Sequence, residues 1–95
     1  RVLHGDANRL ALEYGPYDLL FADGGWRDRS ALVDLLRPGG RGVMDDVTPI
    51  AALPPDSEFR EHDPKREFFA DERLVSAEIV LPDLRNSMLV GTRVR

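Results

Sequence analysis

An α/β fold is predicted for this chain, with a mixed sheet whose parallel strands end in an antiparallel hairpin. Three observations predict it. The run Tyr17 to Asp23 is nearly continuous in apolar residues and lies between Gly15-Pro16 and Gly24-Gly25, as a central parallel strand covered on both faces would. Helical spacing follows in Ala31, Leu32, Leu35 and Leu36. A short strand then resumes at Arg41 to Asp46, so strand, helix and strand fit the roughly 30 residues of a βαβ crossover. The β-rich runs Leu74 to Leu81 and Ser87 to Val94 are joined by Pro82 to Asn86, a connection short enough for a hairpin.

In chain order, Val2-Leu3-His4 is expected as a first strand, leading through Gly5-Asp6-Ala7 into a brief helix from Asn8 to Tyr14. After the central strand, Asp28-Arg29-Ser30 can cap a helix, which Pro38-Gly39-Gly40 should close as a helix-to-strand turn. Thr48 to His62 contains Pro49, Pro54 and Pro55 and is expected to be mostly loop. Asp63-Pro64 then opens a helix through about Arg73, anchored by Phe68 and Phe69.

The 95 residues suffice for one core and are read as a single domain over 1–95. The opening Arg1-Val2-Leu3, without methionine and already apolar, reads as a start in mid-fold. With 13 basic and 17 acidic residues the net charge is −4, and no lysine- or arginine-rich block offers the surface that a phosphate backbone needs. Nucleic acid is therefore not an expected partner. No cysteine is present, which removes disulfides and thiol catalysis and makes a cytoplasmic location the default expectation. No apolar stretch approaches the ~20 residues of a bilayer span, so no membrane partner is expected.

Aspartates punctuate the ends of the expected parallel strands: Asp6 after the first, Asp23 after the second, Asp45 and Asp46 at the third. Ligands of open α/β sheets sit beyond those ends. Successive side chains of a strand point to opposite faces, so Asp45 and Asp46 can both face a ligand only where the strand gives way to a turn, which Thr48-Pro49 would supply. Gathered carboxylates repel one another, and a hard cation such as Mg2+ or Ca2+ would relieve that. An aspartate at a strand end equally serves as a helix cap or Asx-turn. Trp26 stands at the mouth of the expected crevice, as a substrate-pocket wall or as a cover over the core. His4 and His62 have no partner at a catalytic spacing and are read as structural. No glycine-rich nucleotide fingerprint occurs.

Taken in order, Gly5-Asp6-Ala7, Tyr17-Asp18-Leu19-Leu20-Phe21-Ala22-Asp23, Leu35-Leu36-Arg37-Pro38-Gly39-Gly40 and Val43-Met44-Asp45-Asp46-Val47 resemble the C-terminal part of class I S-adenosylmethionine-dependent methyltransferases. The resemblance is to the small metal-dependent O-methyltransferases of catechols and caffeoyl-CoA, and it runs over nearly the whole chain. It implies a partial Rossmann-like methyltransferase fold without the N-terminal cofactor-loop half. It also implies S-adenosylmethionine as cofactor and a small-molecule methyl acceptor. Asp6 and Ala7 would lie near its adenine and Asp23 near the methyl donor. Asp23, Asp45 and Asp46 would hold the metal. Two positions depart from the family pattern. Trp26 stands where a lysine is common shortly after the first metal aspartate, and Asp46 where asparagine normally follows the second, so the general base is unassigned.

The resemblance also places two earlier strands between the one matched by Val2-Leu3-His4 and the one matched by Tyr17 to Asp23. The isolated chain should then pair them directly or expose a sheet edge, which favours a homo-oligomer, and without the cofactor-loop half it should be weak or inactive alone. The alternative is a non-catalytic α/β module acting in protein association. A receiver domain does not fit, because its acidic pair comes first and its single aspartate later.

Overall fold

A computed structural model describes residues 1–23, 29–60 and 65–95. The architecture is α/β. Helix α1 (Ala7–Tyr14) leads to strand β1 (Tyr17–Ala22), helix α2 (Arg29–Asp34) and strand β2 (Leu36–Val47). Two 3-10 turns, Ile50–Ala52 and Glu58–Arg60, precede helix α3 (Lys65–Ala70) and the strands β3 (Leu74–Val80) and β4 (Ser87–Arg93). One four-stranded mixed sheet results, in the order β1-β2-β4-β3, with β1 and β2 parallel and the other two pairings antiparallel. The expected crossover and terminal hairpin are both present. Among the described residues no helix is long and apolar enough to cross a membrane.

The core lies on one face of the sheet, under α2 and α3. Ala22, Met44, Leu74 and Leu89 point toward Leu32 and Val33 of α2 and Phe68 of α3. Gly42 and Gly91 are register partners on neighbouring strands. A Cβ at Gly42 would meet Leu32 at 2.8 Å, and one at Gly91 would meet Phe68 at 2.7 Å. The paired absence of side chains therefore forms a shallow floor into which a residue of each helix descends.

Among the described residues no helix covers the opposite face. Leu19 and Phe21 of β1 are 65% and 56% exposed, and Val75 and Ile79 of β3 are 66% and 51% exposed. The expectation of a central β1 covered on both sides is corrected on both counts. Val2-Leu3-His4 is not a strand, so β1 pairs only with β2 among the described residues and forms a sheet edge.

Two boundaries also move. Helix α2 ends at Asp34, before Pro38, because Leu35 and Leu36 are taken up by the sheet. The Tyr17 amide donates to the Leu35 carbonyl at 2.7 Å, and Leu36 is paired with Tyr17. Strand β2 therefore starts at Leu36, and Arg37 to Gly40 form an irregularity inside it. Between Tyr17 and Leu19 on β1, the partner on β2 moves from Leu36 to Arg41. Gly39, at φ +83°, takes the left-handed conformation that this excursion requires. Helix α3 ends at Ala70 rather than near Arg73, which belongs to the turn before β3. Residues 61–64, and with them His62, lie outside the described residues, as do residues 24–28.

An ion-pair group closes that turn. Arg73 donates Nε to Asp71 Oδ1 at 3.0 Å and a terminal nitrogen to Asp71 Oδ2 at 2.8 Å, and its other terminal nitrogen bonds Asp34 on α2. Those hydrogen bonds hold the Asp71 carboxyl below the ordinary value of 3.8. A carboxyl depressed in the folded state stabilises it above the unfolded value, and the contribution is lost as pH falls through the depressed one. Melting temperature should accordingly drop on acidification below about pH 4, and Asp71→Asn should flatten that limb while leaving the rest of the profile in place. Thermal melts of both proteins between pH 2 and 6 check this.

Candidate functional site at the carboxyl ends of the parallel strands

The register of the parallel pair sets the site. Ala22 is paired with Met44, so the next residues along the two chains, Asp23 and Asp45, follow side by side. Adjacent parallel strands lie roughly 4.8 Å apart. Asp46 joins them through an irregularity between Met44 and Val47. There β2 advances three residues while its partner β4 advances two, from Leu89 to Ser87. The extra residue is a β-bulge, and Asp46 adopts φ +55°, a conformation that aspartate tolerates better than most residues. One carboxylate oxygen from each of Asp23, Asp45 and Asp46 lies within 4.8 Å of the other two. The change of direction expected at Thr48-Pro49 comes earlier, at the bulge inside the strand.

Asp45 is half-buried, and Asp23 and Asp46 are exposed, so the cluster opens to solvent. The three carboxylates offer the kind of oxygen donors that a hard cation takes. A soft metal would want the sulfur or imidazole that this edge lacks among its described residues.

Asp6 stands at the start of α1. Its carboxylate accepts from the Asn8 amide at 3.0 Å and caps α1, while Ala7 is the first residue of that helix. Both are exposed and outside the carboxylate cluster. Trp26 falls outside the described residues.

Behind the bulge lies a polar group that the sequence did not reveal. Lys65, 4% exposed, donates Nζ to the Thr48 carbonyl at 2.6 Å and to Glu78 Oε2 at 3.2 Å. Ser87, fully buried, donates its hydroxyl to Glu78 Oε2 at 2.6 Å and lies 3.2 Å from the Val47 carbonyl. In the sequence Lys65 is one more charged residue of a short helix. The only signal available was that it is the sole lysine beside twelve arginines.

A groove of about 400 Å³ lies at the other end of the parallel strands, against Leu12, Pro16, Leu36 and Pro38. Of its charged groups, Asp34 pairs with Arg73 and Arg93 donates to the carbonyls of Leu36 and Val33, while Arg37 stands 3.9 Å from Asp18. The carboxylate edge gathers three charged groups at one point and is the candidate site. No protein-family model matches the sequence, and no curated protein matches it significantly.

Proposed function

We propose that the chain is the C-terminal portion of a class I S-adenosylmethionine-dependent methyltransferase domain. It would act, with a divalent cation, on a hydroxyl oxygen of a small molecule. The observation that carries this reading is the convergence of Asp23 with Asp45 and Asp46 at the carboxyl ends of two parallel strands, in a sheet that ends in an antiparallel hairpin. A cation held there would bind the acceptor hydroxyl and ease its deprotonation. Asp23, after the end of β1, would be a ligand of the cation near the methyl donor, and Asp6 with Ala7 would lie near the adenine of the cofactor. The three carboxylates would fix the acceptor oxygen relative to the sulfonium methyl, which is the orientation an in-line displacement needs.

Calorimetric titration with S-adenosylhomocysteine, with and without magnesium, tests this without knowledge of the acceptor. Micromolar binding supports the cofactor reading. Heat that appears only in a protein extended upstream by the cofactor-loop half keeps the reading with this chain inactive alone, and absence of heat in both proteins removes it.

A second reading is a non-catalytic α/β module for protein association, and the open apolar face of Leu19, Phe21, Val75 and Ile79 favours it. Apolar side chains gathered on an exposed face mark an interaction surface. The edge of β1, which has no partner among the described residues, is a further place for a homo-oligomer to form. Under this reading the chain self-associates or binds a protein partner, and S-adenosylhomocysteine leaves it unaffected.

A further inference from the structure

Asp46 holds a left-handed conformation in a strand, and something must prevent the chain from relaxing into the regular ladder. The carbonyls that follow it are both engaged from behind. The Val47 carbonyl lies against the Ser87 hydroxyl and the Thr48 carbonyl accepts from the Lys65 ammonium, while Glu78 Oε2 accepts from both donors. Ser87 is also the register partner of Val47, the first pair after the extra residue. Glu78 on β3, Ser87 on β4 and Lys65 on α3 thus converge on the two residues that close the bulge.

We infer that Lys65 and Ser87, joined through Glu78, are positioning residues: by fixing the Thr48 and Val47 carbonyls they hold the bulge in the shape that turns Asp45 and Asp46 toward Asp23. The inference rests on the cation reading above for its functional meaning, though not for its geometry. The burial of the Lys65 ammonium supports it. A buried charge keeps its place only while its partners stay in theirs, so the Thr48 carbonyl and the Glu78 carboxylate are held together. Outer partners of this kind orient metal ligands without touching the metal.

The test is a magnesium chloride titration followed by amide NMR, on the wild type, Ser87→Ala, Lys65→Met and the remote core variant Val33→Ala. Backbone chemical shifts of Asp46 report its left-handed conformation, and shifts of Asp45 to Val47 report magnesium affinity. In Ser87→Ala and Lys65→Met the Asp46 shifts should move toward extended values and the magnesium Kd should rise about tenfold, the lower end of what such outer-partner losses cost. Val33→Ala should lower stability and leave both readouts unchanged. Ser87→Ala removes a single hydroxyl and keeps the test valid if Lys65→Met does not fold. Unmoved Asp46 shifts in Ser87→Ala and in any folded Lys65→Met overturn the inference. So does a Kd that rises equally in Val33→Ala. A wild type whose shifts ignore magnesium defeats the cation reading instead, and the Asp46 shifts alone then decide whether Lys65 and Ser87 hold the bulge.

Discussion

Asparagine at both 45 and 46 should abolish any magnesium-dependent rise in melting temperature. Ligand that binds only the folded state stabilises it by RT ln(1 + [L]/Kd), which at ten times Kd is about 1.4 kcal/mol. For a domain near this length that is roughly 6–11 °C. The double variant suits the purpose because asparagine matches aspartate in size and also accepts positive φ, so position 46 can keep its +55° and the bulge its shape. What changes is the charge. With two of three neighbouring carboxylates neutralised, the metal-free variant should melt at or above the wild-type temperature, because like-charge repulsion within the cluster is relieved. Melts by circular dichroism across a magnesium series separate the possibilities. A shift that persists in the double variant places the cation elsewhere, and a metal-free variant that melts well below the wild type makes the aspartates structural.

Phe68→Ala should be among the most damaging single truncations in the chain. The ring is 1% exposed and stands over Gly91, where it fills the space that a side chain on β4 would otherwise occupy. It also joins α3 to the core residues of β2, β3 and β4, so its loss opens a cavity at the centre of one layer. Truncations of this type cost about 3–5 kcal/mol. A domain of this size has only about 5–15 kcal/mol in total. The expected fall in melting temperature is at least ~12 °C. Phe69 provides the control: its ring stands edge-on to Phe68 at 6.3 Å but is 45% exposed. Phe69→Ala should cost well under half as much. Denaturant titrations of the two variants measure both, and equal losses would mean that α3 does not seat Phe68 in the sheet as described.

Local patterning made much of this fold legible. Tyr17 to Asp23 identified β1 from its apolar content and its glycine-proline boundaries. The hairpin was predicted within a residue at its outer ends, because Asp83 and its neighbours form a compact connection: Asp83 accepts from the amides of Arg85 and Asn86. The aspartates at 23, 45 and 46 stood out for the same reason, being charges set against apolar runs. What escaped depends on partners distant in sequence. The bulge at Asp46 exists because β2 carries one residue more than β4 between two fixed pairings, and no window around residue 46 contains β4. Lys65 is buried by contacts 13 and 17 residues away. The early end of α2 follows from competition between helix and sheet for Leu35 and Leu36, in which pairing with Tyr17 outweighs helical spacing. Asp6 was legible in two ways, and the cap on α1 is the one observed.

The extra residue in β2 makes the carboxylate cluster a matter of chain length as much as of residue identity. Loss of a single codon between Met44 and Val47 would let β2 and β4 pair without interruption and return alternate side chains to opposite faces. Such a chain would keep its sheet, and could keep an aspartate at the strand end, yet it could no longer bring two neighbouring residues to the same side. In a lineage of related sequences, a one-residue gap at this point would therefore record the loss of the three-carboxylate edge more reliably than a substitution of any one aspartate.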